Sequence, residues 1–359
     1  MRPWTMQILP WMTGIPRRGR CLFWLLVQLV FAASPVFAED PALNEETEKY
    51  GIVNLQLEND LWGRGTDRHY THGTRISFLT KAHPTEFSGD VKNWVEDHIP
   101  DYFLPDTGRI GFILGQNLFT PENIRKEELI PDDRPYAAWL YIGVGLVAEK
   151  TSGARPYLDN LEINVGVVGP AALGEETQTE VHRIKDVQIP NGWRHQLDNE
   201  FGFLISYERK WPFRYKPEGF LDYDLTPSLG ATLGNVYTYL STGFTVRMGN
   251  DLPSDYGPPR IRPGLSGSGF FKPSNRFGWY IFAGVEGRLV GRNIFLDGNT
   301  FADSHSVSKE IFVGDLQAGV VVTLFRDLRL GFTNIFRTTE FKKQKEGDEF
   351  GSIFLSYRW

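Results

Sequence analysis

The chain has 359 residues, with 38 Lys and Arg against 44 Asp and Glu, a net charge of −6. That mild acidity excludes the broad basic face that nucleic-acid phosphates call for. One cysteine, Cys21, excludes a disulfide framework, and its place inside an expected leader leaves the remainder with no thiolate metal site or cysteine nucleophile.

Arg17, Arg18 and Arg20 precede an apolar run over residues 21–33, and Val36-Phe37-Ala38 supplies small residues suited to cleavage after Ala38. That order predicts a secretory signal over residues 1–38. The run is short for a membrane anchor and is followed by Pro35. Cys21 opens the run instead of closing it, which argues against a lipoprotein. Beyond Ala38 no apolar stretch is long enough for a transmembrane helix, yet aromatics reach 14% and glycines number 37. A soluble β-protein and a membrane barrel both fit those figures. The barrel's mark is alternation in segments of roughly ten residues, with aromatics near their ends.

Twelve such segments run approximately over 50–60, 70–80, 108–118, 136–148, 158–168, 199–211, 219–233, 235–248, 277–290, 309–324, 327–340 and 350–359. In the first, Val53, Leu55 and Leu57 alternate with Asn54, Gln56 and Glu58. In the fifth, Leu161, Ile163, Val165 and Val167 alternate with Asn160, Glu162 and Asn164. Such period-two patterning means strands with two unlike faces. The chain closes on Trp359 with Tyr357 two residues before, as outer-membrane barrels do. The expectation is an all-β fold: one transmembrane antiparallel β-barrel of twelve strands over residues 39–359. An even strand count puts both chain ends at the periplasm. Segments 61–69, 119–135, 169–198, 291–308 and 341–349 then fall outside, with a turn near 234. Segments 81–107, 149–157, 212–218 and 249–276 fall at the periplasm. Two of these, 81–107 and 249–276, are longer than periplasmic turns usually are.

Three polar clusters converge on the expected outer rim. Glu58-Asn59-Asp60 ends the first strand, and Thr66-Asp67-Arg68-His69-Tyr70-Thr71-His72-Gly73 enters the second. Asp132-Asp133-Arg134-Pro135-Tyr136 opens the fourth. Gly169-Pro170 leads into Gln178, His182, Arg183 and then Asn191-Gly192-Trp193. Residues 174–186 read as a short helix in an extracellular loop, with Gln178, His182 and Asp186 four apart on one face. A histidine beside a carboxylate can serve as general base, although spacing alone favours a solvated loop histidine. Asn59-Asp60 offers oxygen ligands for a cation such as calcium, although an Asx turn is the commoner use of that pair. Asp132-Asp133-Arg134 has a plain reading as a loop ion pair. Arg260-Ile261-Arg262-Pro263 suits anionic headgroups but falls at the periplasmic side. Gly264-Leu265-Ser266-Gly267-Ser268-Gly269 lacks Gly-x-Ser-x-Gly in register and so does not make a nucleophile elbow.

Taken in order, Glu58-Asn59-Asp60, Thr66-Asp67-Arg68, Tyr70-Thr71-x-Gly73, Asp133-Arg134-Pro135-Tyr136, Gly169-Pro170 with His182-Arg183, Gly192-Trp193-x-x-Gln196-Leu197 and Gly249-Asn250-Asp251 resemble the LpxR family of lipid A 3′-O-deacylases. The resemblance implies a twelve-stranded outer-membrane barrel that removes the 3′-linked acyloxyacyl group of lipid A, the anchor of lipopolysaccharide, with calcium. It implies His182 as general base, with Asn59, Asp60 and Thr71 in the active site. Arg125, Lys126 and Arg134 are the substrate-binding candidates. Asp60, Asp186 and Gln188 are the metal candidates. The chain departs from the family where a glutamate six residues after the histidine is expected. Gln188 stands there, and Asp186 lies two residues earlier. Two rival readings are a non-catalytic channel and a phospholipase-like barrel.

Overall fold

The structure, a computed structural model, describes residues 50–62, 68–84, 105–152, 155–217, 221–250, 252, 255, 257, 269–272 and 276–359. The expected signal, Thr66, Asp67, Arg260-Ile261-Arg262-Pro263 and residues 264–268 lie outside these. Twelve long strands follow one another: β1 (Ile52–Asn59), β2 (His69–Leu79), β3 (Thr107–Thr120), β4 (Ala137–Lys150), β5 (Tyr157–Val168), β6 (Glu200–Lys210), β7 (Asp222–Gly234), β8 (Tyr237–Asn250), β9 (Phe277–Asn293), β10 (Phe312–Leu324), β11 (Leu328–Arg337) and β12 (Asp348–Arg358). Each coincides with one expected segment. Every strand pairs antiparallel with the next, and β12 returns to pair with β1 from Ile52↔Arg358 to Asn59↔Gly351. The sheet is therefore a closed twelve-stranded barrel. Two short strands, His83–Pro84 and Phe213–Tyr215, lengthen connections at the end that carries the termini.

Alternation decides which way each strand faces. In β1, Asn54, Gln56 and Glu58 are buried while Val53 and Leu55 are exposed. In β5, Asn160, Glu162 and Asn164 are buried while Leu161 and Ile163 are exposed. In β12, Ser356 and Arg358 are buried while Ile353, Leu355 and Tyr357 are exposed. Polar inside and apolar outside inverts a water-soluble fold and suits a wall set in hydrocarbon. Exposed Tyr50, Tyr215, Phe277, Phe325 and Trp359 collect at the terminal end, as an aromatic girdle does. Among the described residues no helix is long and apolar enough to cross a membrane; the crossing elements are strands.

Ion pairs fill the lumen. Arg75 clamps Glu162 with two bonds of 2.9 and 2.8 Å. Arg337 and Arg288 share Asp315, at 2.9 and 3.0 Å. Toward the terminal end, Arg247 pairs with both Asp224 and Asp255, and Arg329 donates to Asp255 at 2.6 Å. Asp255 belongs to the long connection between β8 and β9. The same connection buries Phe270 among Ile52, Leu79, Val147 and Leu158, and sets Lys272 on Glu149 at 2.7 Å. What the sequence marks as an over-long periplasmic loop thus reaches into the barrel mouth.

Removing one partner of a buried ion pair leaves an uncompensated charge and costs roughly 3–5 kcal/mol. Asp255→Ala strands the fully buried Arg329 and leaves Arg247 with Asp224 as its remaining partner. The variant is expected to lose its heat-resistant gel mobility at a clearly lower temperature than the parent. An unchanged transition would contradict this account of the lumen.

Candidate functional site on the outer wall

The site begins with a local irregularity. The β2–β3 register shifts between Tyr70 and His72, so Thr71 is the extra residue of a β-bulge. Tyr70 turns inward against Phe119 and Phe350. His72, next along, pairs with Leu118 on one side and Asn59 on the other. The bulge lets the Thr71 hydroxyl meet that of Thr120 at 2.7 Å, while Asn59 Nδ2 donates to the Thr71 carbonyl at 3.0 Å. Asp60 begins a single 3-10 turn, Asp60–Trp62, is buried, and accepts the Arg68 amide. Three expected site residues, Asn59, Asp60 and Thr71, are thus gathered at the ends of β1 and β2 away from the termini.

Strand parity puts Gln116, Leu118, Ala138 and Leu140 on the lipid-facing side of β3 and β4, yet Leu118 and Ala138 are buried. They are covered by the connection from β5 to β6. Gln116 Nε2 donates to the Ala172 carbonyl at 2.7 Å, and Leu118, Tyr136 and Ala138 pack with Ala172 and Trp193. From there α1 (Gly174–Lys185) runs along the outside of the wall. Only a glycine fits at its start, because a Cβ on Gly174 would stand 2.5 Å from that of Ala138 and 2.6 Å from the Trp193 ring. Gly174, Gln178 and His182 form the buried stripe of α1, and Trp193 Nε1 donates to Gln178 Oε1 at 2.8 Å.

The end of α1 orients His182. Asp186 adopts the left-handed conformation, φ 53° and ψ 46°. Its amide donates to the Arg183 carbonyl at 3.3 Å and that of Val187 to the His182 carbonyl at 3.0 Å. These are the paired bonds of a Schellman cap. The chain doubles back, and His182 Nδ1 meets the carbonyl oxygen of Gln188. A carbonyl only accepts, so Nδ1 carries the proton and Nε2 is the basic nitrogen.

This corrects two expectations. Asp186 leaves the helical stripe, caps the helix and is exposed, so it does not share a face with His182. Gln188 touches His182 through its backbone, while its side-chain amide donates to the Ile189 carbonyl at 2.8 Å. The shared-face spacing that suggested Asp186 therefore does not hold at the end of the helix. A third correction concerns Arg134. It is 1% exposed, lies over the Phe119 ring at 5.3 Å, and donates to Glu340 at 3.3 Å inside the barrel mouth. There it joins the loop between β3 and β4 to the loop between β11 and β12, buried rather than presented at the surface. Around it, His69 Nδ1 lies 2.6 Å from Asp348, and His305 donates to the Asp133 carbonyl at 2.7 Å.

Arg125 and Lys126 are exposed on the loop between β3 and β4. Their backbone is tied to the neighbouring loop: Asn191 Nδ2 donates to the Arg125 carbonyl at 3.2 Å, and the Asn191 amide to that of Ile124 at 2.9 Å. Thr120 and Lys185 escaped the sequence reading. Lys185 ends α1 on the side of His182 and lies within charge range of His72. The bulge and the packing of α1 on the wall leave no mark in local patterning.

Gly174→Val tests the placement of α1. It should lift the helix from the wall and speed proteolysis within residues 174–189 by about tenfold or more, as expected when a docked segment opens locally. Heat-modifiable mobility should persist. Unchanged cleavage would contradict the packing.

The family described as outer membrane protein LpxR matches residues 24–359. The structure of LpxR from Salmonella typhimurium superposes with a TM-score of 0.68 at 22% identity, covering 85% of this chain and 99% of that one. Two autotransporter barrels are more distant. The β-domain of Bordetella BrkA has a TM-score of 0.41 at 10% identity, covering 86% of this chain and 97% of that one. The translocator of NalP from Neisseria meningitidis has 0.35 at 12% identity, covering 95% of each. No curated protein matches the sequence at a significant level. With the family match spanning nearly the whole chain, this protein belongs to the LpxR family of outer-membrane proteins.

Proposed function

We propose that the protein is a lipid A 3′-O-deacylase, an esterase that removes the 3′-linked acyloxyacyl group on the cell-exterior side of the outer membrane. The observation that carries this reading is the position of His182. Its ring is buried under α1 against the lipid-facing side of the barrel, with Nδ1 fixed by the Gln188 carbonyl. A general base fixed in one tautomer there meets a lipid ester without the acyl chain leaving the membrane. His182 Nε2 would take a proton from water as it attacks the ester carbonyl. The end that carries the loops and α1 faces the exterior in this reading.

Calcium suits the donor chemistry of this corner. Asp60 supplies a buried carboxylate and Asn59 an amide oxygen, both hard donors. Among the described residues no group of three or more His, Cys, Asp or Glu is placed to hold a metal. A calcium ion held by Asp60 and Asn59 would therefore also draw on hydroxyl and backbone oxygens. When bound it supplies polarisation of the ester carbonyl and stabilisation of the oxyanion.

The channel reading fares worse. The inward polar residues Gln56, Glu162, Ser206, Arg288 and Ser352, spread from β1 to β12, are 5% exposed or less. A water-filled pore would leave such residues wet.

His182→Ala should lower turnover of lipid A by about a hundred- to ten-thousand-fold, the usual loss on removing a general base, with assembly intact. Wild-type turnover at matched expression would refute the assignment. Asp186→Gly should keep activity within about threefold, because glycine readily takes the left-handed cap position. A loss comparable to that of His182→Ala would restore Asp186 as a ligand. Chelation should abolish turnover and added calcium restore it; full activity in excess chelator would remove the cation from the reaction.

A further inference from the structure

We infer that the C-terminal end of α1, centred on Lys185, is a binding site for the anionic headgroup of a lipid in the outer leaflet. The inference rests on the proposed deacylase reading for the side of the membrane, but its test reads binding and not hydrolysis.

The geometry is local. Gly174, Gln178 and His182 line the buried face of α1, at positions i, i+4 and i+8. Lys185, three residues on, continues that face. It therefore emerges where the helix stops, on the side of α1 that faces the wall, within charge range of His72 of β2. Among the described residues no carboxylate pairs with it, although its neighbour Arg183 is paired with Glu180. A lysine presented at the seam near the catalytic candidate, with no described carboxylate paired to it, is placed to meet an anion from outside.

The flanking side chains say where that anion comes from. Ile184 is 82% exposed, Val187 48% and Ile189 41%. Three bare aliphatic side chains within six residues are unusual on a loop in water. The wall that α1 lies against likewise exposes aliphatic side chains, among them Leu114, Ile142 and Val144. Apolar side chains that dip into the acyl region, with a cation held at phosphate level, are the arrangement by which interfacial segments hold anionic lipids. The ligand chemistry is thus a phosphate on a lipid, with acyl chains beside Ile184, Val187 and Ile189. Such a lipid, held at Lys185, has its ester region carried along the seam toward His182.

The test uses the full-length mature protein in detergent, with His182→Ala introduced so that no ester is cleaved. Diphosphorylated lipid A and, separately, phosphatidylcholine are the probes, and native mass spectrometry counts the retained molecules. Lys185→Glu should reduce retained lipid A by about five- to tenfold, the scale of a single charge contact at an anionic lipid surface. Lys185→Arg should retain it, and phosphatidylcholine should be unaffected by either change. Equal lipid A retention by Lys185→Glu would overturn the inference. So would an equal loss of both lipids, which would mark a structural defect. A wild-type chain that holds lipid A through Lys185 yet does not hydrolyse it would sink the deacylase reading and leave this site standing.

Discussion

In hydrocarbon an unpaired backbone amide or carbonyl costs several kcal/mol, so a sheet there has to close on itself. The ladder between β1 and β12 meets that demand, running over all eight residues of β1 from Ile52 to Asn59. Much of the rest depends on it. Closure fixes an inside and an outside, and period-two alternation then sends Gln56 and Glu58 to the lumen and Leu55 to lipid. It also brings the start of β12 close to the start of β2, so that Asp348 can reach His69 at 2.6 Å.

The lumen carries a second constraint. Polar side chains buried inside a twelve-stranded wall need partners, and this chain supplies them as shared ions: Asp315 between two arginines, Asp255 between Arg247 and Arg329. Such networks fill the lumen with paired charge. The proposed chemistry lies instead on the outer surface. There α1 covers a patch of wall in which Leu118 and Ala138 are buried by protein instead of lipid.

Most of the architecture was legible in the sequence because alternation reports faces directly. All twelve strands and the helix over 174–185 appear where patterning puts them. The site was legible in part. Asn59, Asp60, Thr71 and His182 are marked by polar residues at strand ends and in one long loop. Spacing alone could not show that Asp186 would cap the helix in the left-handed conformation, since four-residue spacing assumes that the helix continues. Nor could it show that Arg134 turns into the mouth to meet Glu340, a partner 206 residues away. The bulge at Thr71 arises from a register shift between strands, which no single strand records.

The central claim is that this wall-mounted histidine serves a lipid in the membrane beside it. Mass spectrometry of lipid A from cells producing the protein, set against cells lacking it, tests that most directly. The account predicts loss of one acyloxyacyl unit from lipid A, with phospholipids unchanged. An unaltered lipid A spectrum in cells whose outer membrane holds the folded barrel, with its calcium supply intact, would contradict it.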